Sequence, residues 1–316
     1  MTGTTPSPKA RSWLFLFPWI AVAFAEEPAP PEPFPTAPGL HEVQSTAQSG
    51  LSYFLYVPKS LPAEPVPLVI SYGKYYQDAR GEAESWMPFA DRTHCLAAGL
   101  AVGNTDKQFL GNLPVNVEIV DRARRSFRVN PYAVLLTCRG IDQVMPSFSG
   151  RPDLFRYGAQ RDGWNYSYHK RELSEEEHRL LSGSHAWMHM RWGDRFQPQD
   201  AAYDEDTFKK AVECFEGLGL KSLRVDKRLQ YVQGNHGEID VVAKWFQEKL
   251  DADKDLIQAS LKADAVIEKA RQLAAKKKAA EALKLLQGLS NKKDTLLPQA
   301  AAKLEGAVAS LKEGAE

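Results

Sequence analysis

The sequence lacks net charge, since forty Lys and Arg residues balance forty Asp and Glu residues over 316 positions. Bulk electrostatics therefore give no reason to expect a nucleic acid or an anionic membrane surface as a partner. Three cysteines are too few for a disulfide framework, and Cys95 and Cys214 are expected as small buried residues. No P-loop, G-x-G-x-x-G or paired-cysteine motif occurs, so we predict no cofactor and no metal centre.

The N-terminal segment has an apolar run that is short for a transmembrane helix. Residues 13–25, WLFLFPWIAVAFA, make thirteen apolar positions, whereas a spanning helix needs about 20. Lys9 and Arg11 precede the run, and Ala23-Phe24-Ala25 matches an A-x-A cleavage site. We therefore predict a cleavable signal peptide over 1–25 and a secreted or periplasmic protein; an uncleaved anchor is the alternative.

Composition divides the remaining chain into three parts. Residues 26–40 contain six prolines and are expected to form an extended linker outside the core. Residues 41–250 form the main domain. Residues 251–316 contain no aromatic residue, histidine or cysteine and are rich in Ala, Leu, Lys and Glu, which predicts a helical extension.

Strand-like and helix-like segments alternate along the main domain. Apolar runs of strand length include SYFLYV at 52–57, VPLVI at 66–70 and YAVLLT at 132–137. Helical spacing appears at 117–127 and 204–219. This alternation predicts an α/β fold with a mostly parallel sheet flanked by helices, and chemistry on the loops at the carboxyl ends of its strands.

The extension carries apolar stripes at helical spacing. One stripe consists of Leu297, Ala301, Leu304, Val308 and Leu311. A second stripe lies in 283–289, and the segment LQGLSNKKDTLLP between the stripes predicts a break. We expect two or three amphipathic helices, packed on the main domain or mediating self-association or association with a partner.

The order of motifs resembles that of α/β-hydrolases in the secreted polyhydroxybutyrate depolymerase and feruloyl esterase-like group. The resemblance spans about 50–250 and rests on VPLVISYG, GLAVGNTD, RRSFRVNPYAVLLT, RPDLF, RWGDRFQP and GNHG, in that order. It implies an ester hydrolase with a nucleophile, an acid and a histidine in chain order. The ligand that it implies is a small or polymer-derived ester or sugar.

Two members of the implied catalytic triad stand at matching positions. Asp194 follows the strand-like WMHMRW after Gly193, with a turn-capping role as the alternative and Asp200 or Asp204 as other candidate acids. His236 lies in QGNHGEI, before the final helix of the main domain, although a lone histidine is more often structural.

The nucleophile is missing from its expected turn. The family reads roughly T-G-x-S-x-G-G, whereas residues 137–143 read TCRGIDQ and place Gly140 where serine is expected. A shift of two residues makes Cys138 the nucleophile, but this puts Leu136 at a position that needs a small residue and moves the turn into the strand. Ser147 and Ser149 are nearby but lack the turn pattern.

Further residues are candidates for the cleft. The oxyanion loop reads Tyr72-Gly73-Lys74 where the family has His-Gly, and Arg139 and Gly140 lie on the nucleophile turn. Trp164 and Tyr166, in an aromatic cluster with Tyr168, are candidates for binding a sugar or aryl group; ordinary packing is the alternative.

The pair His185 and His189 would suit a metal on a helix, but the segment reads as a strand, so no metal site is predicted there.

The sequence therefore supports two alternative functions. In the first, the protein is a relative that has lost catalysis, retains Asp194 and His236, and acts by binding. In the second, it is an active esterase that uses Cys138 with His236 and Asp194.

Overall fold

The computed structural model describes residues 32–73, 78–101, 112–139, 144–161, 172–190, 208–227 and 236–313, with side chains at all of these except 112, 190, 227, 236 and 237. Its centre is an eight-stranded sheet. The strands are β1 (Gly39–Gln44), β2 (Ser52–Val57), β3 (Val66–Tyr72), β4 (Leu96–Leu100), β5 (Val129–Arg139), β6 (Tyr157–Arg161), β7 (His185–Met190) and β8 (Ser222–Lys227).

The sheet is mostly parallel, as the sequence predicts. Its strand order is β1-β2-β4-β3-β5-β6-β7-β8. The first strand pairs antiparallel with β2 and β2 pairs antiparallel with β4, whereas the pairs from β4 through β3 to β8 are all parallel. The central strand β5 is buried almost throughout, because helices cover both of its faces.

The described helices complete the α/β fold. They are α1 (Ala79–Thr93), α2 (Asn112–Ser126), α3 (Val144–Gly150), α4 (Glu175–Leu181), α5 (208–216), α6 (His236–Ala252), α7 (Lys254–Ala275), α8 (Ala279–Ser290) and α9 (Pro298–Glu313). Helices α1 and α6 share a core with one face of the sheet, and α2, α3 and α5 share a core with the other. Within the described part of the chain, no helix combines the length and the apolar character needed to cross a bilayer.

Close packing of α1 on β4 depends on a glycine. A β-carbon built on Gly99 would lie 2.3 Å from the backbone nitrogen of Ala83 and 2.5 Å from the carbonyl oxygen of Ala79. Neither backbone atom can move away as a side chain could. Only glycine therefore allows α1 to lie this close to the sheet.

The proline-rich segment 26–40 differs from its prediction in its second half. The side chain of Phe34 is buried in the core, and its backbone N–H donates to Ser126 Oγ at 2.6 Å. Its ring also packs against Tyr53 and beneath the guanidinium of Arg122, at 4.9 Å. One aromatic side chain between the prolines is sufficient to anchor this segment to the domain. The expectation that the segment lies wholly outside the core is therefore wrong.

A carboxylate from α2 holds the turn between β1 and β2. Glu118 accepts hydrogen bonds from Ser45 Oγ at 2.7 Å and from the amides of Thr46 and Ala47 at 3.0 and 2.8 Å. Arg122, one turn further along α2, donates to Glu118 at 3.0 Å. Burial alone would raise the pKa of Glu118, but these hydrogen bonds outweigh it and hold the pKa below its usual 4.5.

The extension folds as three helices, with breaks at 276–278 and 291–297. The predicted stripe of α9 lies in an apolar core shared with α7 and α8, and this core reaches the sheet at Tyr132 of β5. The hydroxyl of Tyr132 donates to Asp264 at 2.8 Å, and Lys303 donates to that hydroxyl at 3.1 Å. The extension thus packs on the main domain through both apolar and charged contacts.

Candidate functional site

The candidate site lies at the carboxyl ends of the strands. The described residues reach this edge at 73, 101, 139, 161, 190 and 227. Several predicted site residues lie outside the described residues: Lys74, Gly140, Trp164, Tyr166, Tyr168, Asp194, Asp200 and Asp204. His236 is the first residue of α6, and only its backbone is described.

Cys138 lies inside β5 rather than on a turn. It pairs with Tyr72 of β3 and with Gln160 of β6, and its side chain is fully buried. The thiol Sγ lies 2.7 Å from Gln160 Oε1, to which it donates. The strand continues through Arg139, so the sulfur belongs to the sheet core and not to a nucleophile turn that precedes a helix.

The buried polar groups around Cys138 form a chain that occupies the same face of the sheet. The hydroxyl of Tyr72 donates to Asn116 Oδ1 at 2.6 Å, and Asn116 Nδ2 donates to Ser147 Oγ at 3.1 Å. Burial raises the pKa of Tyr72 well above 10 and the nearby Cys138 adds to this, so the phenol stays protonated. Ser147 is therefore a buried hydrogen-bonding residue, whereas the Ser149 hydroxyl donates to the Pro146 carbonyl at 3.3 Å.

Gly73, a predicted oxyanion residue, already uses its amide. Its N–H donates to the carbonyl of Leu100 at 2.9 Å, which extends the β3–β4 pairing by one residue. An oxyanion donor must be free to point at the substrate. The amide of Gly73 therefore does not meet this condition in this structure.

Arg139 faces the opposite side of the sheet from Cys138, as alternation along a strand requires. Its Nε lies 3.4 Å from Glu238 Oε2 in the first turn of α6. Both side chains are largely buried, at 8% and 15% exposure. This ion pair connects the end of β5 to α6, the helix that begins at His236.

A second buried ion pair, which the sequence did not predict, lies beside the first. Arg161 ends β6 in register with Arg139 and pairs with Glu82 of α1 at 2.6 Å, each side chain being 1% exposed. Arg161 also donates to Thr137 Oγ1 at 3.1 Å and to the carbonyl of Tyr72 at 3.0 Å. In the sequence, this ion pair is indicated only by an arginine at the end of the short run YGAQR, and nothing in the sequence identifies Glu82 as its partner.

Ser71 and Trp86 complete the group around Glu82. Ser71 Oγ donates to Glu82 Oε1 and accepts from the indole nitrogen of Trp86 at 2.7 Å. The other oxygen, Glu82 Oε2, is buried and has no hydrogen-bond partner among the residues that the structure describes. A buried oxygen of this kind is a position for a single ordered water.

Further along this edge, the same register continues to His189 and Asp226. Arg161 pairs with His189 of β7, and His189 pairs with Asp226 of β8. The His189 ring stacks on Trp187 at 5.5 Å, and the Trp187 indole donates to Asp226 at 2.8 Å. The carboxyl edge from β5 to β8 thus ends in four polar side chains on one face.

The two histidines of β7 are separated by the strand, as the strand prediction implied. His185 begins β7 and His189 lies four residues later. Four residues of extended chain span about 13 Å, which is too far for two ligands of one metal ion. The structure instead gives each histidine a separate environment.

Comparisons with known proteins give distant likenesses. No family model and no curated protein matches this chain. A thermostable esterase superposes with a TM-score of 0.44 and 14% identity over 66% of this chain, which spans 59% of that esterase. Poly(aspartic acid) hydrolase-1 from Sphingomonas sp. KT-1 gives a TM-score of 0.48 and 12% identity, with coverages of 67% and 99%.

S-formylglutathione hydrolase from Agrobacterium tumefaciens gives a TM-score of 0.47 and 12% identity, with coverages of 67% and 94%. These three structures are named as an esterase and two hydrolases. At such identities a likeness concerns the fold alone. The α/β class itself is confirmed by the order and direction of the strands.

Proposed function

We propose that this protein is an exported relative of the α/β-hydrolase esterases that has lost its serine nucleophile and acts by binding a ligand at the carboxyl edge of the sheet. The observation that supports this most is the position of Cys138, the first candidate for a replacement nucleophile. Its thiol is buried in β5 and engaged with Gln160.

A thiol acts as a nucleophile when it is deprotonated and accessible to the substrate. Cys138 Sγ donates its proton to a neutral amide oxygen, and it lies among apolar residues of the core. Ser147 is likewise buried, and so it does not supply the missing hydroxyl.

The charges at this edge suggest which ligands it would bind. Arg139 and Arg161 are each paired with a glutamate, so the two ion pairs together add no net charge. Two neutralised pairs give this edge no excess charge of either sign. It therefore favours a neutral, hydroxyl-rich or ester-containing molecule over a strongly anionic one.

Export is supported by the N-terminal sequence. The basic residues, the apolar run of 13–25 and the A-x-A pattern together match a cleavable signal peptide. N-terminal sequencing of the protein recovered from its native host tests this part, and a mature chain that begins at Glu26 is the expected result.

A paired assay of hydrolysis and binding tests the function. The purified protein, Cys138→Ala and His236→Ala are incubated with short aryl esters, and covalent adducts of iodoacetamide and a fluorophosphonate are mapped by mass spectrometry. We expect no adduct within 138–149 and no dependence of ester hydrolysis on Cys138 or His236. We also expect short hydroxybutyrate oligomers or sugar esters to raise the melting temperature.

The alternative, an esterase using Cys138, makes the opposite prediction. Hydrolysis that both substitutions abolish, together with thiol labelling of Cys138 in the native protein, would refute the binding proposal. Trp164→Ala and Tyr166→Ala then test the predicted ligand contacts. Under the binding proposal these two substitutions weaken the ligand-induced rise in melting temperature, while the melting temperature of the unliganded protein changes little.

A further inference from the structure

A hydrogen-bonded chain of serine, histidine and aspartate lies at the amino edge of the sheet, opposite the candidate site. Ser222 and His185 begin β8 and β7 and are paired in register. Ser222 Oγ lies 2.7 Å from His185 Nδ1, and His185 Nε2 lies 2.7 Å from Asp253 Oδ2. Asp253 lies between α6 and α7.

The protonation state of this chain follows from its partners. Burial alone would raise the pKa of Asp253, but hydrogen bonds from His185 and Lys221 and the charge of Arg156 hold it well below its usual range. Asp253 is therefore ionised and accepts the proton on Nε2. Nδ1 is left with its lone pair, so Ser222 must be the donor to it. This is the arrangement of a nucleophile with its general base.

The burial of the three side chains also suits a nucleophilic site. His185 and Asp253 are 4% and 1% exposed, whereas Ser222 is partly exposed. The ring of Tyr157 stacks on the imidazole at 5.5 Å and 11°, which fixes its plane. Burial lowers the pKa of His185 despite the opposing effect of Asp253, and the imidazole is therefore neutral at pH 7.

The backbone at Ser222 offers a donor for an oxyanion. Lys221 N–H donates to the carbonyl of Ser184 and so points toward β7. Because N–H groups alternate along a strand, the amide of Ser222 points to the outer side of β8. Beyond β8 the sheet has no further strand among the described residues.

We propose that Ser222, His185 and Asp253 form a second, nucleophilic site, whose substrates are small activated acyl esters. Ser222 Oγ would bond to the acyl carbon while its proton passes to His185 Nδ1. The bond to the leaving alcohol or phenol breaks, and the leaving oxygen takes that proton. Water then hydrolyses the acyl-serine, with His185 as the base, and restores the free hydroxyl.

The charges around Asp253 limit the rate of this site. Arg156 and Lys221 both bind the carboxylate, the latter at 2.6 Å, and they offset the charge that would stabilise an imidazolium. These charges slow acylation and deacylation alike, so the site should turn over slowly. With an activated ester the good leaving group speeds acylation alone, and the acyl adduct then accumulates. It lies about 13 Å from His189 at the carboxyl edge, by the rise of β7, so it is independent of the proposed binding function.

Adduct mapping on the full-length protein tests this proposal. The protein is incubated with p-nitrophenyl acetate or a fluorophosphonate, quenched, digested and analysed by mass spectrometry. We expect Ser222 to be modified at least ~10²-fold faster than other serines, since a positioned general base contributes about 10²–10⁴. Ser222→Ala should remove this adduct, and His185→Gln should slow its formation to the background rate.

A serine that lacks a histidine partner serves as the matched control. Ser182 is exposed, and its hydroxyl donates to the carbonyl of Arg179 at 2.7 Å. Equal modification rates at Ser182 and Ser222, or adducts only elsewhere, would overturn the proposal. Adducts within 138–149 bear on the carboxyl edge instead. Circular dichroism of each variant checks that it is folded. If His185→Gln unfolds, Ser222→Ala still tests the proposal, because Ser222 is partly exposed and its substitution disturbs the core less.

Discussion

Replacement of Arg161 by methionine tests whether the ion pair at the carboxyl edge is as buried as the structure indicates. In the native protein the side chains of Arg161 and Glu82 are each 1% exposed. The substitution keeps a long side chain at 161 but leaves Glu82 as a buried carboxylate without its ion-pair partner. Loss of one partner of such a pair costs about 3–5 kcal/mol. Because domains are stable by only about 5–15 kcal/mol, this is a large share of the total.

Arg151→Met is the matched control for this substitution. Arg151 also pairs with a carboxylate, Asp153 at 2.7 Å, but these side chains are 38% and 46% exposed. Exposed pairs contribute about 0–1 kcal/mol, so the control should scarcely change stability. The double variant Glu82→Gln with Arg161→Met removes both charges and should recover part of the loss.

Guanidinium unfolding, followed by circular dichroism and tryptophan fluorescence, measures these free energies. The reasoning predicts a loss at Arg161 that exceeds the loss at Arg151 by more than about 2 kcal/mol. Similar losses at the two arginines would show that solvent reaches Glu82 and would refute the burial argument. A double variant less stable than Arg161→Met alone would refute the view that an unpaired charge causes the loss.

Three further predictions concern packing, pH and the helical extension. Gly99→Ala forces a β-carbon against the backbone of Ala83 and should lower the free energy of unfolding by more than about 1–3 kcal/mol. The control, Gly306→Ala, lies in an open position of α9 and should raise that free energy by about 0.5–1 kcal/mol. Thermal unfolding of the two variants measures the difference. Since the pKa of Glu118 is lowered in the folded state, its contribution is complete above pH 4.5 and is lost as the pH falls through the folded value. Glu118→Gln should therefore lose less stability than the native protein between pH 5 and 3, and an equal loss in acid unfolding curves would contradict this. Tyr132→Phe removes the hydroxyl that binds the extension and should lower the free energy of unfolding by about 1–2 kcal/mol, with an unchanged value as the contrary result.

Local sequence patterns were sufficient for much of the fold. The predicted strands at 52–57 and 66–70, and the strand at 132–137, all lie within observed strands, because short apolar runs bounded by turns report burial directly. The stripe of 297–311 was found because helical spacing is a local property. By contrast, β1 and β6 escaped detection: β1 lies at the sheet edge with a mixed pattern, and YGAQR ends in two polar residues.

The position of Cys138 is a case that sequence could not decide. The two alignments of 137–143 differ by two residues, and a shift of two keeps every side chain on the same face of a strand. The alternation of apolar residues therefore does not distinguish the two alignments, and the sequence opposes the shift only through Leu136 and the displaced turn. Only the pairing of Cys138 with Tyr72 and Gln160 establishes that the strand continues past the sulfur.

The sequence by itself determined the α/β class, the helical nature of the extension and the absence of a serine from the expected turn, because each depends on neighbouring residues in the chain. Tertiary structure alone decided which charges became partners. Arg161 meets Glu82 across 79 positions, and His185 meets Ser222 and Asp253 across 37 and 68. Such contacts depend on the order of the strands in the sheet and on where the helices pack against it. Residues that lie far apart in the chain become neighbours only in the folded protein.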